Sequence, residues 1–337
     1  MKVSVIIPCR NEIKHISSCI EAIFQSEFIS ATELEVIVVD GKSNDGTLDD
    51  LKKMQLRFPS LQIINNEKQV TPVAFNLGIS ASKGDYIQII GARQIIDKFY
   101  LNTGIQTFLN DSSVWCVGGQ VQNIFENRNS KCIAAAMDTP FGVGMNNFRI
   151  LKKSSYTDTV GTPMYPKWVF EKIGWFDETL VRNQDDEFNY RVTKAGGKLF
   201  LNVNMQIKYF VRANFKNLFK QYFQYGYWKV LVNRKHKVIT TYRQLIPPVW
   251  ILFLLTGWVS FFISPLVGWF YCGMVGLYFF TAFFYSVKKA NPKTDFPILF
   301  YTFFILHFSY GFGYLKGILH FYILNKKPVV SATNLSR

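Results

Sequence analysis

Val3-Ser-Val-Ile-Ile-Pro-Cys-Arg-Asn-Glu12, and further on Val36-Ile-Val-Val-Asp40 running into Gly41-Lys-Ser-Asn-Asp-Gly-Thr47, decide how this chain folds. Each is a short β-branched run that stops abruptly in polar turn residues, the pattern of a buried parallel strand. Between them Ile16, Cys19, Ile20, Ile23 and Phe24 recur at helical spacing within 13–30. Strand, helix, strand in that order is a βαβ unit, and its right-handed crossover lays the two strands side by side. Such sheets bind ligands in the crevice beyond the carboxyl ends of their strands. Pro8, Arg10, Glu12 and Asp40 line that crevice.

These segments resemble the start of the family 2 glycosyltransferases, nucleotide-sugar enzymes with the α/β GT-A fold. In that family the first strand ends in Pro-x-Arg/Tyr-Asn-Glu, and the second in an Asp before a Gly/Ser/Asp-rich turn. Here they stand as Pro8-Cys9-Arg10-Asn11-Glu12 and Asp40-Gly41-Lys42-Ser43-Asn44-Asp45-Gly46-Thr47. The resemblance implies that Asp40 reads the nucleobase and that Pro8 and Glu12 frame base and ribose. Taken without it, Asp40 caps a turn in an ordinary α/β nucleotide fold.

Val73–Ser82 reads as a helix and Tyr86–Ile90 as the next strand. In the family this strand leads into an Asp-x-Asp motif holding a divalent cation, Mg or Mn, against the donor diphosphate, since a hard cation needs oxygen ligands. This chain has Gly91-Ala92-Arg93 there, without either carboxylate. Four readings follow. Arg93 contacts the diphosphate directly, as a guanidinium forks onto phosphate oxygens; a metal is held by the donor phosphates and Asp97; the protein binds without catalysing; or Arg93 is a surface residue.

On the acceptor side, Phe170-Glu-Lys-Ile-Gly-Trp-Phe-Asp-Glu178 and Arg182-Asn-Gln-Asp-Asp-Glu-Phe-Asn-Tyr-Arg191 resemble the family's Gly-Gly-Phe-Asp-Glu and Glu-Asp segments. By that resemblance Asp185 is the general base, worth about two to four orders of magnitude in rate. Asp186 is the adjacent alternative, and Glu187 begins the following helix. Without the resemblance the cluster is an acidic helix start favoured by the dipole. Gly161-Thr-Pro-Met-Tyr165 and Trp115-Cys-Val-Gly-Gly119 match places where the family lines its sugar pocket. Gln224-Tyr-Gly-Tyr-Trp228 resembles the Gln-x-x-Arg-Trp motif of polysaccharide synthases, which makes Gln224 and Trp228 acceptor-binding residues; Trp228 reads equally as an interfacial anchor.

The apolar content sits late in the 337 residues, which are 49% hydrophobic with 32 Phe. Val249–Val287 is nearly free of charge, with Pro265 and Gly268 near its middle, and Ile298–Ile323 is a second run. A span needs about 20 apolar residues, so two to three membrane segments are expected, with the Gly-rich 311–317 stretch as a re-entrant or interfacial piece. Between Phe188 and Thr294 there is no Asp or Glu but fifteen Lys or Arg, which carry the whole formal net charge of +15. Basic residues crowded against an apolar run suit anionic lipid head groups and a cytoplasmic flank, so the expected partner is a membrane and not nucleic acid. Within this window Lys208, Arg212, Lys216 and Lys220 are spaced by four beside Phe215, Leu218, Phe219, Tyr222 and Phe223, as in an interfacial amphipathic helix. The alternative is a helix packed on the globular domain. The five scattered cysteines fit reduced thiols, and the absence of a basic-then-apolar leader fits a catalytic half kept in the cytoplasm at the plasma (inner) membrane.

The expected organisation is a GT-A domain over 1–207, a basic interfacial region over 208–243, a membrane domain over 244–325 and a mobile tail over 326–337. The expected activity is inverting transfer of a sugar from a nucleotide diphosphate donor, UDP-linked, to a lipid-linked saccharide or polysaccharide. The rivals are a processive synthase and an inactive nucleotide or lipid-head-group binder.

Overall fold

The computed structural model describes residues 1–125, 127–144, 151–210 and 214–328. They fall into two compact units, one of 1–124 with 151–210 and one of 125–144 with 214–328. Arg212 and residues 329–337 of the tail lie outside the described residues.

The first unit begins with β1 (Lys2–Cys9), α1 (Ile16–Phe24), β2 (Glu33–Asp40), α2 (Thr47–Arg57), β3 (Leu61–Asn65), α3 (Thr71–Ala81) and β4 (Tyr86–Ile89). There follow β5 (Gln94–Ile96), α4 (Tyr100–Asn110) and β6 (Val114–Ile124). The chain leaves this unit for α5 (Arg128–Met137) and α6 (Pro140–Val143), then returns as β7 (Ser155–Thr157), β8 (Gly161–Pro166), α7 (Trp168–Ile173), α8 (Gln184–Lys194) and β9 (Lys198–Phe210).

The sheet runs β3-β2-β1-β4-β8-β6-β9-β5, with β7 on β9. β1 to β4 are mutually parallel, as the βαβ reading expects, while β8 is antiparallel to both β4 and β6. Both faces of β1 are covered, which is why it reads as a continuous β-branched run. Val3, Val5 and Ile7 pack with α1, α2 and α4 on one face, and Ile6 packs with α3 and the aromatics of α7 and α8 on the other. The chain order reverses at β1, between β2 and β4, which is the switch point where such sheets open a crevice. Cys9 pairs with Asp40, so β1 and β2 end level and their turns leave side by side.

One boundary differs from the expected one. Lys208 lies in β9, opposite Ile95 and Gln122, and not on the basic helix. Alternation decides it: Met205 and Ile207 point into the core as period-two neighbours.

In the second unit α9 (Phe215–His236) carries Lys216 and Lys220 of the expected basic row. It is followed by α10 (Ile246–Thr256), α11 (Ser260–Ile263), α12 (Pro265–Lys289) and α13 (Phe296–Ile318). Three helical stretches, Tyr242–Ile263, Pro265–Lys289 and Phe296–Ile323, are long and apolar enough to cross a membrane. Pro265 opens α12 behind Ser264, whose side chain accepts from the Leu266 N–H, so the long apolar run divides at the Pro265 that marks its middle in the sequence. The Gly-rich stretch 311–317 is not a break in the third run. It is continuous helix, and its glycines form a packing face on which α9 lies: a Cβ at Gly313 would strike the Phe223 carbonyl, and one at Gly226 the Tyr310 carbonyl. His307, one of the polar residues of this run, bonds Tyr278 Oη at 2.9 Å and the Phe141 carbonyl at 2.7 Å, tying α12 and α6 to α13.

Candidate active site

Two turns meet beyond the carboxyl ends of β1 and β2, and side chains stitch them together. The Asn11 N–H donates to Ser43 Oγ and the Glu12 N–H to Thr47 Oγ1, both at 2.9 Å, while Asn11 Oδ1 accepts from the Asn44 N–H at 2.9 Å. Asn11 takes a left-handed φ of 55°, which Asn tolerates better than most residues. Asp40 is buried, and both its oxygens accept from Ser43, Oδ2 from the N–H at 3.0 Å and Oδ1 from the hydroxyl. The turn-capping alternative thus describes what Asp40 does in this structure. Each oxygen has a second lone pair for a further donor. Pro8 is half-buried at the end of β1, opposite Val39.

The charges at this end are placed unevenly. Arg10 lies on Gly41, where a Cβ would come within 3.3 Å of its Cδ, and its buried Nε and Nη1 have no hydrogen-bond partner. Arg93 follows β4 in a turn closed by the Gln94 N–H on the Gly91 carbonyl. Its Nε donates to Glu12 Oε2 at 2.7 Å and Oε1 at 3.0 Å, and both side chains are partly exposed. Sequence reasoning proposed each of these residues but missed the pairing, because 81 positions separate them. Burial foremost, then the charges of Asp40 and Glu12, push the Cys9 thiol far up, so it is neutral sulfur between the turns and not a nucleophile.

The second cluster opens α8. Asn183, at φ 60°, turns the chain into the helix. Asp185 is exposed, with Oδ1 accepting from the Asp186 N–H at 2.9 Å, and Asp186 is half-buried. Glu187, expected to begin the helix, lies in the first turn of a helix that starts at Gln184; it is fully buried and holds Arg191 by two 2.9 Å contacts, so it is part of the helix's packing. Burial, and after it Cys116 and Asp185, keep the Tyr165 phenol protonated, and its hydroxyl meets Asn189 at 2.9 Å. Ahead of α7, Thr162 sits at φ 51°, a strained conformation for a β-branched residue, with its hydroxyl buried and unpartnered. In the other unit, Gln224 is half-buried on α9, and Trp228 is buried, edge-on to Tyr227 and tilted against Phe321.

The arrangement is that of an α/β protein with its ligand end at a sheet switch point, where cations and turn N–H groups gather. The chain belongs to glycosyl transferase family 2, whose sequence profile matches residues 4–173. A Methanococcus voltae protein named dolichyl N-acetyl-alpha-D-glucosaminyl phosphate 3-beta-D-2,3-diacetamido-2,3-dideoxy-beta-D-glucuronosyltransferase is 34% identical over 69% of this chain and 74% of its own. The succinoglycan biosynthesis protein ExoA of Rhizobium meliloti is 26% identical over 72% of this chain and 73% of its own. Among solved structures, the Pyrobaculum calidifontis mannosyltransferase PcManGT, determined with GDP-Man and Mn2+, aligns with a TM-score of 0.61 at 15% identity, over 94% of this chain and 86% of that one. The likeness is one of fold, and the fold is the GT-A type that the sequence implies.

The divalent cation that the family implies does not fit the residues at its expected position. The slot presents a guanidinium, and the adjacent carboxylate, Glu12, is engaged by it. Asp97 accepts from the Phe99 N–H at the start of α4. No group of three or more His, Cys, Asp or Glu that could hold a metal occurs among the described residues.

Proposed function

We propose that this glycosyltransferase moves one sugar from a nucleotide diphosphate donor, UDP-linked, onto a lipid-linked saccharide or polysaccharide at a membrane, with inversion at the anomeric carbon. Pro8, Arg10, Glu12, Asp40 and Arg93 form the donor side. Asp185 is the base: it accepts the proton of the acceptor hydroxyl as that oxygen bonds the anomeric carbon and the bond to the diphosphate breaks. Asp186 is the adjacent alternative. Gln224 and Trp228, on α9, are the acceptor-binding residues. The observation that carries this reading is the pairing of two features in one unit, a stitched turn pair at the sheet's switch point and an exposed carboxylate at the start of α8. The names of the relatives, one acting on a dolichyl-linked sugar phosphate and one in succinoglycan biosynthesis, support a lipid-linked or polysaccharide acceptor. Three candidate spans support catalysis at a membrane, and the basic window supports a cytoplasmic catalytic unit at the inner membrane.

The test is a transfer assay on the full chain in detergent, with labelled UDP-sugars and a polyprenyl-diphosphate-linked sugar. Addition of a single residue with inverted configuration is expected. A ladder of products would replace this reading with a processive synthase, and an Asp185→Asn variant as active as the wild type would remove Asp185 from its role.

A further inference from the structure

We infer that the donor's diphosphate is held by guanidinium groups in place of a divalent cation, with Arg93 exchanging Glu12 for the phosphate oxygens and Arg10 supplying a second charge. This rests on reading the end of β1 and β2 as the donor site. Three observations lead to it.

Arg93 stands where metal-ligating carboxylates would be and uses only Nε on Glu12. A guanidinium has five N–H donors in a fixed fork, so its Nη groups remain for another anion, and no protein acceptor meets them among the described residues. Both Glu12 oxygens converge on the single Nε–H, so the two-nitrogen fork that suits a phosphate is left to a further anion. Arg10 is the second observation. Enclosing a guanidinium N–H without an acceptor is costly, and Arg10, half-buried as a residue, has its Nε and Nη1 both enclosed and unsatisfied. An anionic ligand beside β1 removes that penalty, and Gly41, lacking a side chain, leaves room for the arginine stem. The third observation is rigidity. The Glu12 N–H is fixed by Thr47 Oγ1, so the carboxylate can release Arg93 by side-chain rotation while the turn keeps its shape.

A hard cation at this place would face one guanidinium already spending the nearest carboxylate and a second left uncompensated. The same two groups are suited to the negative charge that a diphosphate brings and that accumulates on it as the sugar leaves. Glu12 then has two roles in sequence: counter-ion of Arg93 before the donor binds, and a freed carboxylate once it is bound.

The decisive measurement is calorimetric binding of UDP and of uridine to the detergent-purified full chain, first with EDTA and then with excess manganese. GDP, ADP, CDP and dTDP, each with its nucleoside, extend it to other bases. The ratio of diphosphate to nucleoside affinity isolates the phosphate contribution from contacts to base and ribose. The wild-type ratio is expected to be the same within about twofold in EDTA and manganese. Arg93→Ala is expected to lower it about 10- to 100-fold, Arg10→Ala to lower it as well, and Glu12→Gln to raise it by removing the competitor. A ratio that collapses in EDTA overturns the inference and leaves the donor site standing; so does an Arg93→Ala ratio equal to wild type in a variant of unchanged melting temperature. Failure of every nucleotide to bind in both conditions overturns the donor-site reading and this inference together. The EDTA arm needs no variant, so a misfolded substitution does not blunt the test.

Discussion

Glu187 and Arg191 on α8 form an ion pair in which most of the charged groups are used. Glu187 has no exposure, both its oxygens accept from Arg191, and the guanidinium also donates to the Ile173 and Trp175 carbonyls at 2.7 Å. Glu12 and Arg93 are the same residue types at similar distances, yet one nitrogen does all the bonding and both side chains reach solvent. The first pair is nearly closed: four of the five guanidinium N–H groups are used, and it locks α8 to the turn after α7. The second is half made, held by a partner that a ligand can replace. Completeness of hydrogen bonding, more than distance, separates a charge pair that serves the fold from one available for chemistry. On α8 itself, Asp185 is exposed while Glu187, in the same helical turn, is buried.

Substitutions that exchange the open and sealed groups test this contrast. The largest effect expected is on Asp185: Asp185→Asn should lower turnover by about 10²- to 10⁴-fold with the melting temperature unchanged. Asp186→Asn should cost less than about tenfold in the same assay, and the reverse order would move the base by one residue. Next comes Glu187→Gln, which leaves the Arg191 charge buried without its counter-ion. Denaturant unfolding of the first unit's transition should show a loss of about 3–5 kcal/mol, with residual activity following the folded fraction. Glu12→Gln should change stability by less than about 1 kcal/mol, because its pair is partly solvated. A large destabilisation there would make the Glu12–Arg93 pair a second sealed one.

The sequence makes some of this legible and hides the rest for physical reasons. β1 and β2 can be read because both of their faces are buried, which leaves unbroken β-branched runs ended by turn residues. The sealed role of Glu187 is not announced, since an Arg at i+4 suits a solvated helix face as well as a buried pair. The Glu12–Arg93 pair is hidden because no local pattern records a contact across 81 positions. Segment 125–144 is hidden for a similar reason. Its capping box of Asn127 and Ser130 announces a helix, but its partners in the second unit, Asp295 for Arg128 and His307 for the Phe141 carbonyl, lie more than 160 positions on. The glycines at 311–317 mislead because a close-packed helix face and a broken helix draw on the same residue.

A third pair marks the exposed limit of the comparison and carries the smallest prediction. Lys68 Nζ meets Glu178 Oε2 at 2.9 Å, with the Glu178 side chain 41% exposed, and Asn76 adds a bond at 3.2 Å while also clamping the Phe176 backbone. The Lys68 hydrogen bond holds the Glu178 carboxyl below its ordinary value of 4.5, against an opposing push from partial burial and with Asn76 assisting. Because the folded pKa is depressed, the stabilisation is present above that ordinary value and is lost as the pH falls through the folded one. Solvent screening limits it to under about 1 kcal/mol. Lys68→Ala should therefore lower the melting temperature slightly near neutral pH, and its melting curve should converge on the wild type in acid as the carboxyl is protonated. A deficit that persisted in acid would mean that Lys68 acts through packing of its stem, and the gradient from sealed to open to exposed would then lose its last step.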